Sequence, residues 1–400
     1  MAENTVAGHL YNKPESTPST IGPQMNTYQW DRKSLIDAEK DIVFSRLANV
    51  RNMPKHFGKT IKAYHYMPLL SDLNVNDQGI DAKGAQYANG NIYGSSRDVG
   101  TISSKLPTLS ETGGRVNRVG FTRKVIEGSM HKMGFFYEFS RESMDFDSDA
   151  ELHQHMRREA IQGAAQMYEA QLQIDLLNGA GVVMYAGAAT KDSEVTGEGA
   201  TPSLVSFDDL MKLYLVLKDN RTPQQTQYIY GSRMIDTRTI SKGYVMYASS
   251  DMLPHFMSMQ NYTKKDAWIP VEQYGDAGTI MEHEVGTVGM FRIVTPPEML
   301  KWEGAGAAVT GAATTPMHST NSKYDIYPLL VVGAESFSTI GFFYSGEKSK
   351  FSIISKLPGM ETADRTDPYG EMGFCSIKWW YGFLPERTER LAVIKTVAPM

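Results

Sequence analysis

SDAELHQHMRREAIQGAAQMYEAQLQIDLLNG, residues 148–179, reads as one long helix with both ends written into it. Ser148 and Glu151 match the S-x-x-E capping box, in which each side chain takes up an orphan backbone N–H of the first turn. Asp149 and Glu151 set negative charge at the positive end of the helix dipole. Leu152, Met156, Ala160, Ala164, Met167, Tyr168, Leu172 and Leu176 recur every three or four residues and so line one face. No proline breaks the run, and Asn178-Gly179 supplies a left-handed stop. At about 1.5 Å per residue such a rod is about 43 Å long. Helices average about 11–12 residues. An ordinary core helix of a large enzyme suits a shorter element, so this one predicts a spine across an elongated subunit.

Composition narrows the class. The 400 residues suffice for several domains and a sizeable core. A hydrophobic content of 41% with 10% aromatics excludes wholesale disorder. The balance of 40 basic and 45 acidic residues leaves a net charge of -5. That argues against a dedicated nucleic-acid binder, whose affinity comes from neutralising phosphates. The single cysteine, Cys375, excludes an internal disulfide and fits a reducing compartment. The opening MAENTVAGHLYNKPESTPST lacks the basic start and apolar core of a signal peptide. The longest apolar runs, near Leu176 and Leu329, are broken by Gly, Asn or Glu before they reach the roughly 18 residues of a membrane helix. The expectation is a soluble product made in a cytoplasm, with no membrane partner.

Residues 1–27 are polar, proline-dotted and without period, as in a flexible arm. An amphipathic helix is expected over 31–50, capped by Asp31 and closed by Pro54, with Leu35, Ile36, Ile42, Val43, Leu47 and Val50 on one face. KTIKAYHYM, 59–67, alternates like a strand. Residues 71–114 are rich in Gly, Ser and Asn, which marks a long exposed loop. Two strand-like runs follow, one through Val119, Phe121 and Val125, the other through Met133, Phe135, Tyr137 and Phe139; together they read as a β-hairpin arm.

Beyond the spine, 179–202 reads as a small-residue loop, and Ser206 with Asp209 caps a second helix over 206–217. Strands are expected at 228–235 and 290–299, making this part a mixed α/β domain. The uncharged segment 304–322, GAGAAVTGAATTPMHSTNS, reads as a mobile surface insertion. Strand-like runs resume at YPLLVVGAESF, KFSIIS, FCSIKWWYGF and RLAVIKTV, with Leu391, Val393 and Val397 sharing a face in the last.

Motifs for catalysis or metal binding fail on spacing or context. Gly58-Lys59-Thr60 lacks the first glycine of a P-loop, since Met53 stands in its place. His153 and His155 are two apart on a helix and point to different faces. Glu282-His283-Glu284 has no second histidine at ligand spacing. There is neither a G-x-S-x-G elbow nor a G-x-G-x-x-G after a strand. No catalytic, cofactor-binding or metal residue is expected. Trp379-Trp380-Tyr381 is read as core or interface packing, and Cys375 as a small buried hydrophobe.

Charge placement says more. Arg115, Arg118, Arg123, Lys124 and Lys132 stand against the single Glu127, while Glu138, Glu142, Asp145, Asp147, Asp149 and Glu151 stand against Arg141. Two solvated faces would explain this; so would complementary surfaces on neighbouring copies of one chain, which set register more than affinity.

The same order of parts occurs in a known family. MPKHFGKTIKAYHYMPL (53–69), LPTLSETGGRVNRVGFTRKVIEGSMHKMGFFYEFSRESMDF (106–146), YGSRMIDTRTI (230–240), FRIVTPPEMLKW (291–302) and FCSIKWWYGFLPERTERLAVIKT (374–396) carry the resemblance. The chain resembles the major capsid proteins of tailed bacteriophages, with the α+β Hong Kong 97 coat fold, and more closely the coat-protein family of N-four-like podoviruses. The resemblance implies an N-terminal arm over 1–50 and an extended loop over 71–140. It implies a peripheral domain from 51–70 and 141–204 with its spine helix at 149–177, an axial domain over 205–325, and C-terminal strands, 326–400, that rejoin the peripheral domain. It further implies self-assembly into hexamers and pentamers of an icosahedral head around double-stranded DNA, held by diffuse contacts. Portal and scaffold or decoration proteins are the other implied partners, and no cofactor is. Some members of the wider fold cross-link through a Lys and an Asn; Lys83 and Lys105 lie in the loop, but no feature identifies such a pair. Two other readings compete: an encapsulin-like compartment shell and a cytosolic enzyme.

Overall fold

The apolar stripe folds into an unbroken helix of 28 residues, Leu152–Gly179, about 42 Å long. The computed structural model describes residues 43–53, 56, 58–67, 97–104, 106, 111, 123–146, 152–199, 201–229, 237–274, 280–311, 316–342, 351–360, 363 and 365–400. The expected arm over 1–27, most of the glycine-rich loop, and the capping residues Asp31, Ser148, Asp149 and Glu151 lie outside them.

In chain order, a 3-10 turn, Phe44–Leu47, leads into strands β1 (Asn49–Met53) and β2 (Thr60–Tyr66). Helix α1 (Val99–Ser104), strand β3 (Arg123–Ser140), helix α2 (Arg141–Asp145) and the spine α3 (Leu152–Gly179) follow. Next come β4 (Val182–Tyr185), α4 (Phe207–Asp219), β5 (Gln225–Ile229), β6 (Thr237–Tyr247), α5 (Leu253–Met257), β7 (Trp268–Pro270), β8 (Glu284–Val288) and β9 (Phe291–Val294). The chain closes with β10 (Ser319–Thr320), β11 (Lys323–Tyr324), β12 (Tyr327–Val332), β13 (Phe337–Phe342), β14 (Phe351–Lys356), β15 (Met372–Pro385) and β16 (Leu391–Thr396).

Two large sheets result. The first has the order β1-β13-β15-β3-β2, with β14 also on β15; the second runs β4-β16-β12-β6-β9-β8-β7, with β5 on β6. The spine lies between them. Ala160, Ala164, Tyr168, Leu172 and Leu176 share one core with Ile377, Trp379 and Tyr381 of the first sheet and with Tyr247, Leu330, Leu391 and Val393 of the second. On the second sheet's other face, Leu210, Leu213 and Leu217 of α4 pack with Met246, Ile293, Leu329 and Ile394. A sheet covered on both faces needs continuous apolar strands, and β12 is buried at every residue. Ser206 and Asp209 form the expected capping box on α4.

Several expectations need correction. Met167 is 54% exposed, so it leaves the stripe that Tyr168 occupies. Gly179 ends α3 without entering the left-handed region; a Cβ there would meet the Phe383 ring at 3.4 Å, an ordinary contact. The helix expected to run to Val50 is already a strand at Asn49, because β1 pairs in parallel with β13, far along the chain. Residues 182–185 of the supposed loop form β4 against β16. Gly181 makes this possible by bringing its N–H 2.9 Å from the Thr388 carbonyl, a position where a Cβ would lie 2.6 Å from that oxygen. Within 304–322, the described residues are tied to the body: Met317 is buried, and the N–H groups of Ala307 and His318 donate to Val195 and Ala398. Val397 joins Val195 and Tyr324, not the core of Leu391 and Val393.

The hairpin is also differently built. Residues 123–140 form one strand of 18 residues with no turn at Gly128 or Gly134. Both glycines serve close approach instead: a Cβ would meet Phe383 O at 2.9 Å from Gly128 and Ile377 O at 2.6 Å from Gly134. The first half of β3 pairs with β2, from Thr60↔Ser129 to Tyr66↔Arg123; the second half pairs with β15. The two-stranded arm therefore consists of β2 and the start of β3, joined through residues 67–122.

Candidate assembly interface

Alternation along β3 sorts its side chains. Met133, Phe135 and Tyr137 turn towards the spine core. Lys132, Phe136 and Glu138 are exposed on the other face. On β15, Cys375, Ile377, Trp379 and Tyr381 are buried by the same rule. Trp379 meets Phe135 and Phe351 edge-on, at 6.1 and 5.8 Å between ring centres. Tyr381 donates its hydroxyl to Asp175 of the spine, and burial with that carboxylate beside it pushes its pKa up. The Trp-Trp-Tyr run and Cys375 thus pack as expected.

The charged residues separate along one element. Arg123 and Lys124 open β3, Lys132 lies along it, and Glu138 is near its end. Ser140 then caps α2 by accepting the Ser143 N–H at 3.2 Å, which sets Glu142 and Asp145 on an exposed turn. At about 3.3 Å per residue, Arg123 and Glu138 are about 50 Å apart. Within one subunit Arg123 and Lys124 are out of reach of these acids, whereas Lys132 and Glu138 stand on the same face of β3. Arg115, Arg118, Asp147, Asp149 and Glu151 lie outside the described residues. Glu127 is engaged by Lys62 across the ribbon at 2.6 Å, and Arg141 contacts Asp145 at 3.4 Å. Exposed pairs of this kind contribute little stability.

Two features escaped the sequence reading. Arg123 stacks its guanidinium 4.0 Å from the centre of the Tyr64 ring, and Tyr66, also exposed, shares that face of β2. Strict alternation in TIKAYHY was the available signal. The other is Glu169 on the spine, whose carboxylate accepts the N–H groups of Phe44 and Ser45 at 2.9 and 3.3 Å. Nothing local marks that contact. Glu284, within the rejected metal motif, is occupied by Arg292 at 2.7 and 2.5 Å. Among the described residues no helix is long and apolar enough to cross a membrane.

Two sheets around one spine, with β2 at the edge of the first, match the fold of known capsids. The structure is similar to the capsid of Ralstonia phage GP4, with a TM-score of 0.54 and 12% identity over 96% of this chain and 99% of that one. It is similar to the capsid structure of cyanophage P-SCSP1u, with a TM-score of 0.52 and 13% identity over 96% and 99%. The cyanophage Pam1 capsid gives a TM-score of 0.52 at 10% identity over 97% and 100%. The class is the α+β coat fold of Hong Kong 97-like phage shells. No family model matches the chain. It is, however, 54% identical over 389 residues to the major capsid protein of Pseudomonas phage KPP21, covering 97% of each chain. The chain belongs to the phage major capsid proteins, the structural proteins of the virion's head shell.

Proposed function

We propose that copies of this chain assemble into hexamers and pentamers of an icosahedral head enclosing double-stranded DNA. The observation that carries this reading is the separation of Arg123 and Lys124 from Glu138, Glu142 and Asp145 along one strand and its following turn. Charges that cannot meet within a subunit are placed to meet between subunits. Arg115, Arg118, Lys132, Asp147, Asp149 and Glu151 join these two surfaces. Each neighbour contact is weak, and a closed shell sums many of them.

The parts take their roles from this. The residues before Val43 act as an arm and 71–129 as an extended loop over the adjacent subunit, since Phe44 and β1 join the body and 130–140 of the expected loop pair with β15. Residues 51–70 and 141–204 form the peripheral domain, 205–325 the axial domain at the capsomer centre, and 326–400 the returning strands. The net charge of -5 suits a wall that touches packaged DNA only diffusely. Portal and scaffold or decoration proteins complete the assembly in the host cytoplasm, and the chain itself performs no catalytic step. Electron microscopy of the purified protein tests the reading: closed particles are expected, and monomers at every concentration would refute it. Reversal of Arg118 and Arg123 to Glu should remove particles while circular dichroism stays unchanged.

A further inference from the structure

The outward face of the first sheet holds a hollow of about 590 Å³ that the described part of the subunit leaves open. It is lined by Gly134 and Ser376, which carry no large side chain, and by Phe136, opposite Ser376 in register, and Phe374, two residues along β15. Phe136 is 63% exposed and Ile354, in register with Ser376, is 45% exposed. Lys132, Lys378 and Glu138 also line the hollow. Lys356 pairs with Phe374 and holds its ammonium 5.6 Å from that ring. Exposed apolar side chains, Phe136 and Ile354, beside a mainly basic rim call for an apolar group flanked by acids.

This chain carries one. Past β3 the backbone turns through α2 and presents Phe146, 86% exposed, beside the exposed carboxylates of Glu142 and Asp145. Aromatic anchors that fill a desolvated pocket inside a polar ring dominate protein interfaces. We infer that the hollow between β3 and β15 receives the Phe146 turn of a second copy of this chain. Phe146 enters between Phe136 and Phe374, while Glu142 and Asp145 face Lys132, Lys356 and Lys378. Knob and hollow are different surfaces, so each copy gives one and takes the other, an arrangement that links subunits into rings. The inference rests on the assembly reading and names a contact within it.

Cross-linking between differently substituted copies tests it. Ser376→Cys chains are co-assembled with Asp145→Cys chains and treated with a short bismaleimide, so that the expected link joins two chains. Cys375 is fully buried and common to both. A covalent dimer is expected from mixed particles and not from particles of either variant alone; mixed particles that yield only monomer overturn the docking. As a second measurement, Phe136→Asp should keep the circular dichroism of the parent and lower particle yield at least tenfold. A normal yield would overturn the proposal. If the unsubstituted protein forms no particles, the assembly reading falls and takes this contact with it; particles without the cross-link remove the contact alone.

Discussion

Glu169, midway along the spine, accepts the backbone N–H of Phe44 at 2.9 Å. The same oxygen accepts Ser45 at 3.3 Å, and the Phe44 ring rests 4.7 Å from that of Tyr247. One buried carboxylate thus fixes where the N-terminal segment reaches the body. Hydrogen bonds to a charged group contribute about 1.5–3 kcal/mol. Glu169→Ala is expected to lower subunit stability by that amount and to accelerate hydrogen exchange at Phe44 and Ser45. Unchanged protection of those two amides would show that the carboxylate does not hold them.

Arg292 and Glu284 form a buried pair in the second sheet, with Nε to Oε1 at 2.7 Å and Nη2 to Oε2 at 2.5 Å. Arg292 also donates to the Ser241 carbonyl at 3.0 Å, which links the pair to β6. Removing one partner strands the other charge, at a cost of about 3–5 kcal/mol. Arg292→Met should show this loss in the urea midpoint, whereas Arg292→Met with Glu284→Leu should regain most of it. A double variant no better than the single one would count against a desolvated-charge explanation.

What could be read from residue order follows from how local each cause is. The spine, the Ser206–Asp209 cap and the strands from Tyr327 onward arise from periodicity and nearest neighbours. The pairing of β1 with β13 does not, since Asn49 and Ser338 meet only in the folded chain. The break expected between the strand through Val125 and the strand through Met133 is absent, because Gly128 sits inside one continuous strand where the backbone of β15 leaves no room for a Cβ. The charge blocks were legible in composition, but their separation needed β3 to be one strand.

Glu198 ties residues 310–311 to the body. Its carboxylate accepts the N–H groups of Thr310 and Gly311 at 2.9 and 3.0 Å and the Tyr324 hydroxyl at 2.9 Å. These bonds, led by the one from Gly311, hold its pKa down to about 2, from an ordinary 4.5. A depressed carboxyl stabilises the folded form above its unfolded pKa and loses that effect as pH falls through the folded one. Proteolysis near Thr310 should therefore increase between pH 4.5 and about 2. Glu198→Gln should be cleaved readily at neutral pH and show no such rise; a rise of the same size in that variant would place the titrating group elsewhere.

Two glycines on facing elements should respond oppositely to alanine. At Gly134, a Cβ would stand 2.6 Å from the Ile377 carbonyl oxygen and 3.2 Å from Lys378 Cα, both backbone atoms. Neither can rotate away, so β3 and β15 must part. Overpacking of this kind costs about 1–3 kcal/mol. Gly163 lies within the spine, and a Cβ there would find Phe135 Cζ at 3.9 Å, an ordinary contact. Alanine exceeds glycine in helix propensity by about 1 kcal/mol and narrows the unfolded ensemble. Gly134→Ala should lower the thermal midpoint of the subunit and Gly163→Ala should raise it. The contrast matters for assembly, because the first change spreads the sheet that bears Lys132 and Phe136 while the second stiffens the rod behind it. Particle yield should fall with Gly134→Ala and hold with Gly163→Ala. If both variants shift the midpoint in the same direction, the close approach at Gly134 is not what selects glycine there.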